Sequence, residues 1–499
     1  MSGALGRQLS LNTASISLGP APILAAADRY RGSIIDLDEG TTIGPDDFAA
    51  TRQQLVALLK NHGLEPGDRV LLAVPNSPLF IVALTAILEC EGSPLLVHSQ
   101  TPSAELQRYA QRFGVRFLAT VPKNAHNIEM IVSSTKQLSL DATTDLQWCR
   151  FSDDKIPSPS LELRGVPLHP TSGSTGLPKV ALRPGFAAIE EARHYAETMA
   201  IDADDYVLSI PPLSHAYGYG TCVMLPLLTG ASVVTTSQYS NKKMLAALQQ
   251  FPITIMPNVP ANIDLLALSP NIDYGKLRWM LAAGSMLTSS SAIKFRERVC
   301  IPVCPLYGTT ETGGISVATA ADDSDVDGRV GPPMDGVQVK VLPRNSADGI
   351  DPSIGKLAVR SSSMMIGYLD ETGQVTSPLQ DGWFETGDLA RIEDDGVIHL
   401  RGRTGEMINV LGLKVVPCEV EETIARMPGV REVKVYGHQR LPRIEMVKAA
   451  VAVDPGITEM DVRQYCEENL VYYKRPQVVS LVDALPRSPA GKIVREDLP

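Results

Sequence analysis

The sequence predicts an α/β protein with a large N-terminal body, its parallel-rich sheets flanked by helices, and a small C-terminal α+β domain. Three observations predict it. Strand-like and helix-like apolar segments alternate through most of the chain, the pattern of parallel sheets with helices packed outside them. After residue 403 the texture changes to apolar strands separated by two helices, a unit of about a hundred residues and large enough to fold alone. At 499 residues the chain is also too long for one compact core.

TRQQLVALLKN at 51–61 has helical spacing and stops at His62-Gly63, where glycine can take the left-handed cap. A strand-like run RVLLAV at 69–74 follows, then Pro75-Asn76-Ser77, a helical run from Leu79 to Cys90, and a strand SPLLVH at 93–98. The pattern resumes with a helix-like AAIEEARHYAETMA at 187–200 and a strand YVLSI at 206–210. Next come the strands ASVVTT and ITIMPNV, the helix KKMLAALQQ, and the strand LRWMLAAG at 277–284. In the C-terminal part the strands are REVKVYG at 431–437 and MVKAAVAV at 446–453. One helix starts at Pro417, well placed for a first turn, and runs through EVEETIARM; the other is EMDVRQYCEENL. There is no fixed-period repeat and no low-complexity tract.

Hydrophobic residues make up 44% and charged residues 20%, which is ordinary for a globular protein. A formal charge of −11 without a long Lys/Arg cluster argues against nucleic acid or an anionic membrane as the main partner. An anionic ligand must then be held by local donors. The seven cysteines are scattered, and the close pair Cys300 and Cys304 sits in the apolar RVCIPVCPLYG with no second pair or nearby His to complete a zinc site. An odd count with no framework suits a reducing compartment. The apolar run from Leu79 to Leu88 breaks at Glu89, too short to span a bilayer. The N-terminal MSGALGRQLSLNTASISLG lacks the compact apolar core of a secretory signal and reads as a loose leader, so the cytoplasm is the expected location.

The strongest local signal is Thr171-Ser172-Gly173-Ser174-Thr175-Gly176-Leu177-Pro178-Lys179, in the loop before the helix-like 187–200. Its glycines allow close backbone approach and positive φ, so successive N–H groups can point at one anion. Ser172, Ser174 and Thr175 add hydroxyl donors and Lys179 a positive charge, which makes a phosphate cradle. The P-loop ending Gly-Lys-Ser/Thr is missing. A plain polar turn is the competing reading of the same residues.

Five further motifs follow in order: Leu306-Tyr307-Gly308-Thr309-Thr310-Glu311, Trp383-Phe384-Glu385-Thr386-Gly387-Asp388, Gly402-Arg403-Thr404-Gly405-Glu406-Met407-Ile408, Gly412-Leu413-Lys414-Val415-Val416-Pro417, and Pro486-Arg487-Ser488-Pro489-Ala490-Gly491-Lys492-Ile493. With the phosphate loop, they resemble the adenylate-forming superfamily: acyl-CoA synthetases, aryl-CoA ligases, peptide-synthetase adenylation domains and firefly luciferase. The resemblance covers nearly the whole chain and is nearest to the acyl- or aryl-CoA ligase branch. It implies that ATP activates a small-molecule carboxylic acid as an acyl-adenylate, whose acyl group then passes to a thiol. The thiol is that of coenzyme A or of a carrier protein's phosphopantetheine arm. It also implies a body at 1–403 and a mobile lid at 404–499, with ATP, Mg²⁺ and the acid bound between them.

Attack of a carboxylate on the α-phosphate crowds two anions together, so the site must supply positive charge and donors. The resemblance assigns these to particular residues. Glu311 suits Mg²⁺, a hard cation that prefers carboxylate oxygen and bridges phosphates. Thr310 would donate to the α-phosphate. Tyr307, after which Gly308 turns the chain, offers an aromatic face to adenine, and Gly284 and Ser285 match the loop at the adenine edge. Asp388 would accept from both ribose hydroxyls, with Arg403 as the second ribose contact. Lys492 would bridge the substrate carboxylate and the α-phosphate as they meet. After the lid turns, the segment Gly412–Lys414 would face the pantetheine thiol.

In Pro211-Pro212-Leu213-Ser214-His215 the resemblance is to acyl- and aryl-CoA synthetases; amino-acid adenylation domains commonly carry Asp at the His215 position. No carboxylate is there to neutralise an α-ammonium, and an unpaired buried ammonium costs several kcal/mol. His215 would stand beside the carboxylate or gate the pocket. The stretches Tyr217 to Met224, Asn258 to Asn262 and Gly313 to Ser316 are small or aliphatic and suit an apolar acyl or aryl group. Two departures stand out: Val180 replaces the usual Gly after Lys179, and Gly405 replaces the usual Asp or Lys at the hinge. The rival readings are a stand-alone adenylation enzyme that loads a carrier protein and a non-catalytic nucleotide-binding homologue.

Overall fold

The computed structural model describes residues 18–499 apart from 125–127, 141–142, 144, 152–162, 172–178, 269–271, 320–327, 344–350, 404–407, 411–412, 416, 442–443, 471–473 and 489–492. Ser172, Gly173, Ser174, Thr175 and Gly176 of the phosphate loop, Gly405 at the hinge, Gly412 and Lys492 lie outside the described residues, as does the Lys414 side chain. The chain falls into two compact units. One comprises Met1–Ile255, Thr309–Gly313 and Ser361–Gly382; the other comprises Met256–Gly308, Gly314–Arg360 and Trp383–Pro499.

The first unit is built on a nine-stranded sheet in the order Val375–Thr376, Gly367–Leu369, Lys179–Leu182, Leu168–Thr171, Ser93–Leu96, Arg69–Ala73, Val115–Thr120, Leu146–Phe151, Val132–Leu138. Its centre is parallel, with Arg69–Ala73 between Ser93–Leu96 and Val115–Thr120. Both margins are antiparallel. Central strands covered on both faces need near-continuous apolar sequence, and all of Arg69–Ala73 and Ser93–Leu96 is buried. The helix Pro78–Glu89 is buried from Pro78 to Leu88, which is why its apolar run has no polar face. A second set of strands runs Thr41–Ile43, Ile34–Asp36, Ser232–Thr235, Tyr206–Ser209, parallel except at the Thr41–Ile43 edge.

The helix expected at 51–61 spans Pro45–Asn61 instead. Pro45 occupies the first turn, where its missing N–H costs nothing, and Asp46 and Asp47 complement the positive end of the helix dipole. Its C-terminal end lies where glycine predicted it: Gly63 has φ 88° and Leu64 N donates to Leu59 O. Among the described residues no helix is long and apolar enough to cross a membrane.

In the second unit the strands Ile255–Asn258, Trp279–Ala282, Val303–Thr309 and Gly313–Val317 lie side by side in that order. A five-stranded antiparallel sheet follows in the order Arg329–Gly331, Ile398–Arg403, Phe384–Ile392, Gly355–Arg360, Gln338–Leu342. The sequence reading contained no such sheet. Downstream, the strands Val430–Leu441, Ile444–Val453 and Val478–Val482 pack with helices Pro417–Ala425 and Glu459–Asn469. They enclose a core that includes Ile408, Val415, Val420, Ile424, Val435, Val447, Val451, Val462 and Val479. Thr458 and Asp461 form a reciprocal capping box at the start of the second helix.

Candidate functional site

In the second unit the chain folds three sequence-predicted residues together. The strand Val303–Thr309 is buried from Val303 to Tyr307, after which Gly308 is exposed. Asp388 and Arg403 sit on neighbouring antiparallel strands as register partners. Tyr307 OH donates to Asp388 Oδ2 at 2.6 Å, and Arg403 Nε donates to Asp388 Oδ1 at 2.8 Å. The Asp388 N–H donates to Thr386 Oγ1 at 3.1 Å. Burial, then the Asp388 charge, push the Tyr307 hydroxyl far above its ordinary pKa, so it stays protonated and donates. Each carboxylate oxygen has two acceptor positions, so Asp388 is anchored and still has capacity for a diol. Gly284 and Ser285 are exposed just past the strand Trp279–Ala282, where Ala283 N donates to Asn258 O.

The first unit holds a second constellation. The turn Thr309–Gly313 is locked by reciprocal threonine contacts, Thr312 N to Thr309 Oγ1 at 3.2 Å and Thr309 N to Thr312 Oγ1 at 3.3 Å. It presents Thr310 and Glu311, both half-buried. Glu311 O accepts from Met365 N at 2.7 Å, and Glu311 Oε1 accepts from Tyr368 OH at 2.8 Å. Lys179 Nζ lies 5.0 Å from the Tyr368 ring centroid, a cation–π distance. Burial and then Glu311 raise the Tyr368 pKa, so Tyr368 is a neutral donor to a carboxylate. Sequence reasoning missed Tyr368, which is 57 positions from Glu311. The Gly367-Tyr368 pair carries no chemical signature of its own.

The phosphate loop precedes the helix-like segment 187–200, with one strand between them that the sequence did not announce. Thr171 and Lys179 are register partners on antiparallel neighbours, and the strand Lys179–Leu182 leads to the helix Gly185–Met199. Lys179-Val180-Ala181-Leu182 is apolar after its first residue and continues the sheet, with Val180, Ala181 and Leu182 buried. His215 caps the short helix Ala216–Tyr219, its Nδ1 accepting from Tyr217 N at 3.4 Å. A π-helical turn Gly220–Met224 follows, a feature frequent at functional sites.

Among the described residues no three His, Cys, Asp or Glu side chains converge to hold a metal by themselves. A lone fixed carboxylate such as Glu311 fits Mg²⁺ that arrives on phosphates, because Mg²⁺ keeps most of its ligands as water and phosphate oxygen.

Residues 25–369 match the family model of the AMP-binding enzyme, and residues 419–492 match that of the AMP-binding enzyme C-terminal domain. A 3-[(3aS,4S,7aS)-7a-methyl-1,5-dioxo-octahydro-1H-inden-4-yl]propanoyl:CoA ligase of Rhodococcus jostii (strain RHA1) is 30% identical over 93% of this chain and 96% of its own length. The 4-coumarate--CoA ligase 2 of Nicotiana tabacum is 24% identical over 91% of this chain and 88% of its own. Among solved structures, ATP-bound MatB from Rhodopseudomonas palustris superimposes with a TM-score of 0.83 at 23% identity, covering 96% of this chain and 98% of that one. These likenesses agree on the fold.

Proposed function

The chain belongs to the AMP-binding enzyme family, and on that premise we propose how its residues divide the reaction. It is an AMP-forming acid–thiol ligase: a carboxylic acid attacks ATP, pyrophosphate leaves, and the acyl group of the adenylate passes to a thiol, that of coenzyme A. Asp388, anchored by Tyr307 and Arg403, accepts from the ribose hydroxyls; Tyr307 turns its ring to adenine, at whose edge Gly284 and Ser285 stand. Thr171 to Gly176 and Lys179 hold the phosphates, and Thr310 donates to the α-phosphate. Glu311 holds Mg²⁺, which would neutralise the phosphate charge as the carboxylate approaches. Lys492 orients the carboxylate on the α-phosphate, and residues 404–499 act as a lid on the body 1–403. The independent core of the C-terminal strands and helices supports that division. The single observation that carries the nucleotide reading is Asp388 held from two sides, 2.6 Å from Tyr307 and 2.8 Å from Arg403.

Free coenzyme A is favoured over a carrier-protein arm because the relatives are named as CoA ligases. The substrate is an apolar acyl or aryl acid; the acids in the two relatives' names both carry rings, which puts ring-bearing acids first on a panel. Seven free cysteines support a reducing compartment, the cytoplasm. Pyrophosphate release over a panel of acids, with and without coenzyme A, tests the reading. Neutral-tailed acids turn over and α-amino acids of similar size do not. An α-amino acid with the best kcat/KM of the panel overturns the acyl reading of the His215 pocket. Pyrophosphate release with no thioester formed overturns coenzyme A as acceptor.

Tyr368→Phe removes one hydrogen bond to a charged group and keeps the ring under Lys179. We expect kcat/KM for MgATP to fall roughly tenfold, since such bonds contribute about 1.5–3 kcal/mol. Unchanged kinetics at limiting Mg²⁺ would separate Tyr368 from the phosphate chemistry.

A further inference from the structure

Beneath the Glu311 turn lies a buried ion pair that none of the motifs includes. Arg183, just past the strand Lys179–Leu182, and Glu191, on the helix Gly185–Met199, meet at 2.7 Å with side chains 0% and 1% exposed. Tyr195 OH also donates to Glu191, at 3.2 Å. Arg183 Nη2 donates onward to Ser363 O at 3.2 Å, and Ser363 Oγ donates to Thr312 O at 2.8 Å. The far end of the turn rests on the pair directly. Gly313 has φ 72°, and a Cβ there would stand 2.7 Å from Arg183 Nη2 and 2.7 Å from Glu191 Cδ. Only glycine lets the backbone come this close. The Glu311 turn therefore leans on Arg183 and Glu191 through Thr312 and Gly313, while Met365 N and Tyr368 OH hold Glu311 itself.

A pair kept for stability alone is a poor bargain here. Replacing a buried ion pair with apolar residues of similar volume is often neutral or stabilising. Arg183 also leaves Nε and Nη1 without a hydrogen-bond partner among the described residues, although buried donors are ordinarily satisfied. A cost retained in this way marks a place where geometry matters more than stability.

We propose that Arg183 and Glu191 are positioning residues for Glu311: the pair sets the height and direction at which the Glu311 carboxylate meets the metal of MgATP. The inference rests on the assignment of Glu311 to the metal, and its test separates the two. The protein with α,β-methylene-ATP, which cannot be cleaved at the reacting bond, is titrated with Mn²⁺ as a stand-in for Mg²⁺ and read by electron paramagnetic resonance. The variants are Glu311→Gln, the double variant Arg183→Met with Glu191→Met, and Ser363→Ala. The double variant should weaken Mn²⁺ binding about tenfold, the scale found for groups that orient metal ligands. Metal-free nucleotide binding should stay within about twofold of wild type. Ser363→Ala, which cuts the link to Thr312 and leaves the pair intact, should weaken it in the same direction by a smaller factor. If Glu311→Gln binds Mn²⁺ as wild type does, the metal assignment itself fails. If Glu311→Gln weakens binding but the double variant does not, the pair is only structural and the inference is overturned. If the double variant does not fold, Ser363→Ala decides alone, and wild-type Mn²⁺ affinity in it overturns the proposal.

Discussion

Lys492→Ala lowers adenylate formation by at least about two orders of magnitude and leaves thioester formation from pre-made acyl-adenylate within about tenfold of wild type. The asymmetry follows from charge. In the first half-reaction a carboxylate must approach an anionic α-phosphate, and an ammonium that bridges the two is needed most as they meet. In the second half-reaction a thiol attacks an acyl carbon already activated by AMP, and no second anion has to be brought to phosphorus. The backbone on either side of the lysine is fixed. Arg487 and Ile493 form an antiparallel bridge, Val494 N donates to Pro486 O at 2.9 Å, and Arg487 pairs with Glu432 at 3.0 Å. Truncation of one side chain between those anchors should leave the melting temperature unchanged. Measurement of pyrophosphate exchange and thioester formation on the same preparation checks it. Equal loss in both half-reactions would remove Lys492 from the adenylation step.

What could be read in the sequence was what short-range chemistry writes there. Helix ends were legible where proline and glycine mark them, as at Gly63 and Pro417, and the buried helix Pro78–Glu89 was legible from its unbroken apolar run. The parallel centre of the first unit followed from alternation of strand and helix. The antiparallel sheet from Arg329 to Arg403 was not legible. Arg329–Gly331 is only three residues long, and the pairing is set by register across bulges between segments far apart in the sequence. The antiparallel pairing of Leu168–Thr171 with Lys179–Leu182 was hidden because Pro170 speaks against a strand that turns out to pair.

The residues named for the site were those with a motif around them, and Tyr307, Asp388 and Arg403 prove to be in contact. The supporting residues were invisible because their contacts are long-range. Tyr368 meets Glu311 across 57 positions and Arg183 meets Ser363 across 180. Arg183 and Glu191 look like ordinary surface charges of an amphipathic helix and its approach until the fold buries them.

Asp388→Asn should cost roughly a hundredfold in kcat/KM for ATP, because hydrogen bonds from the ribose hydroxyls to a carboxylate contribute about 1.5–3 kcal/mol and asparagine lacks the charge. The larger consequence is a change in selectivity. Wild type should discriminate against 2′-deoxy-ATP, which offers one hydroxyl fewer to Asp388, and the variant should lose most of that discrimination. The fold should tolerate the change. Asparagine has the shape of aspartate, and its amide can still meet the Tyr307 hydroxyl, which is able to accept as well as donate. Arg403 is 57% exposed and can turn to water, so the lost ion pair carries little stability. A structural defect would lower rates with both nucleotides alike and leave their ratio untouched; a lost ribose contact narrows the ratio. Steady-state kinetics with ATP and 2′-deoxy-ATP, on wild type and variant, measure that ratio. If it is the same in both proteins, Asp388 does not hold the ribose, and its bonds to Tyr307 and Arg403 serve only to tie their three strands together.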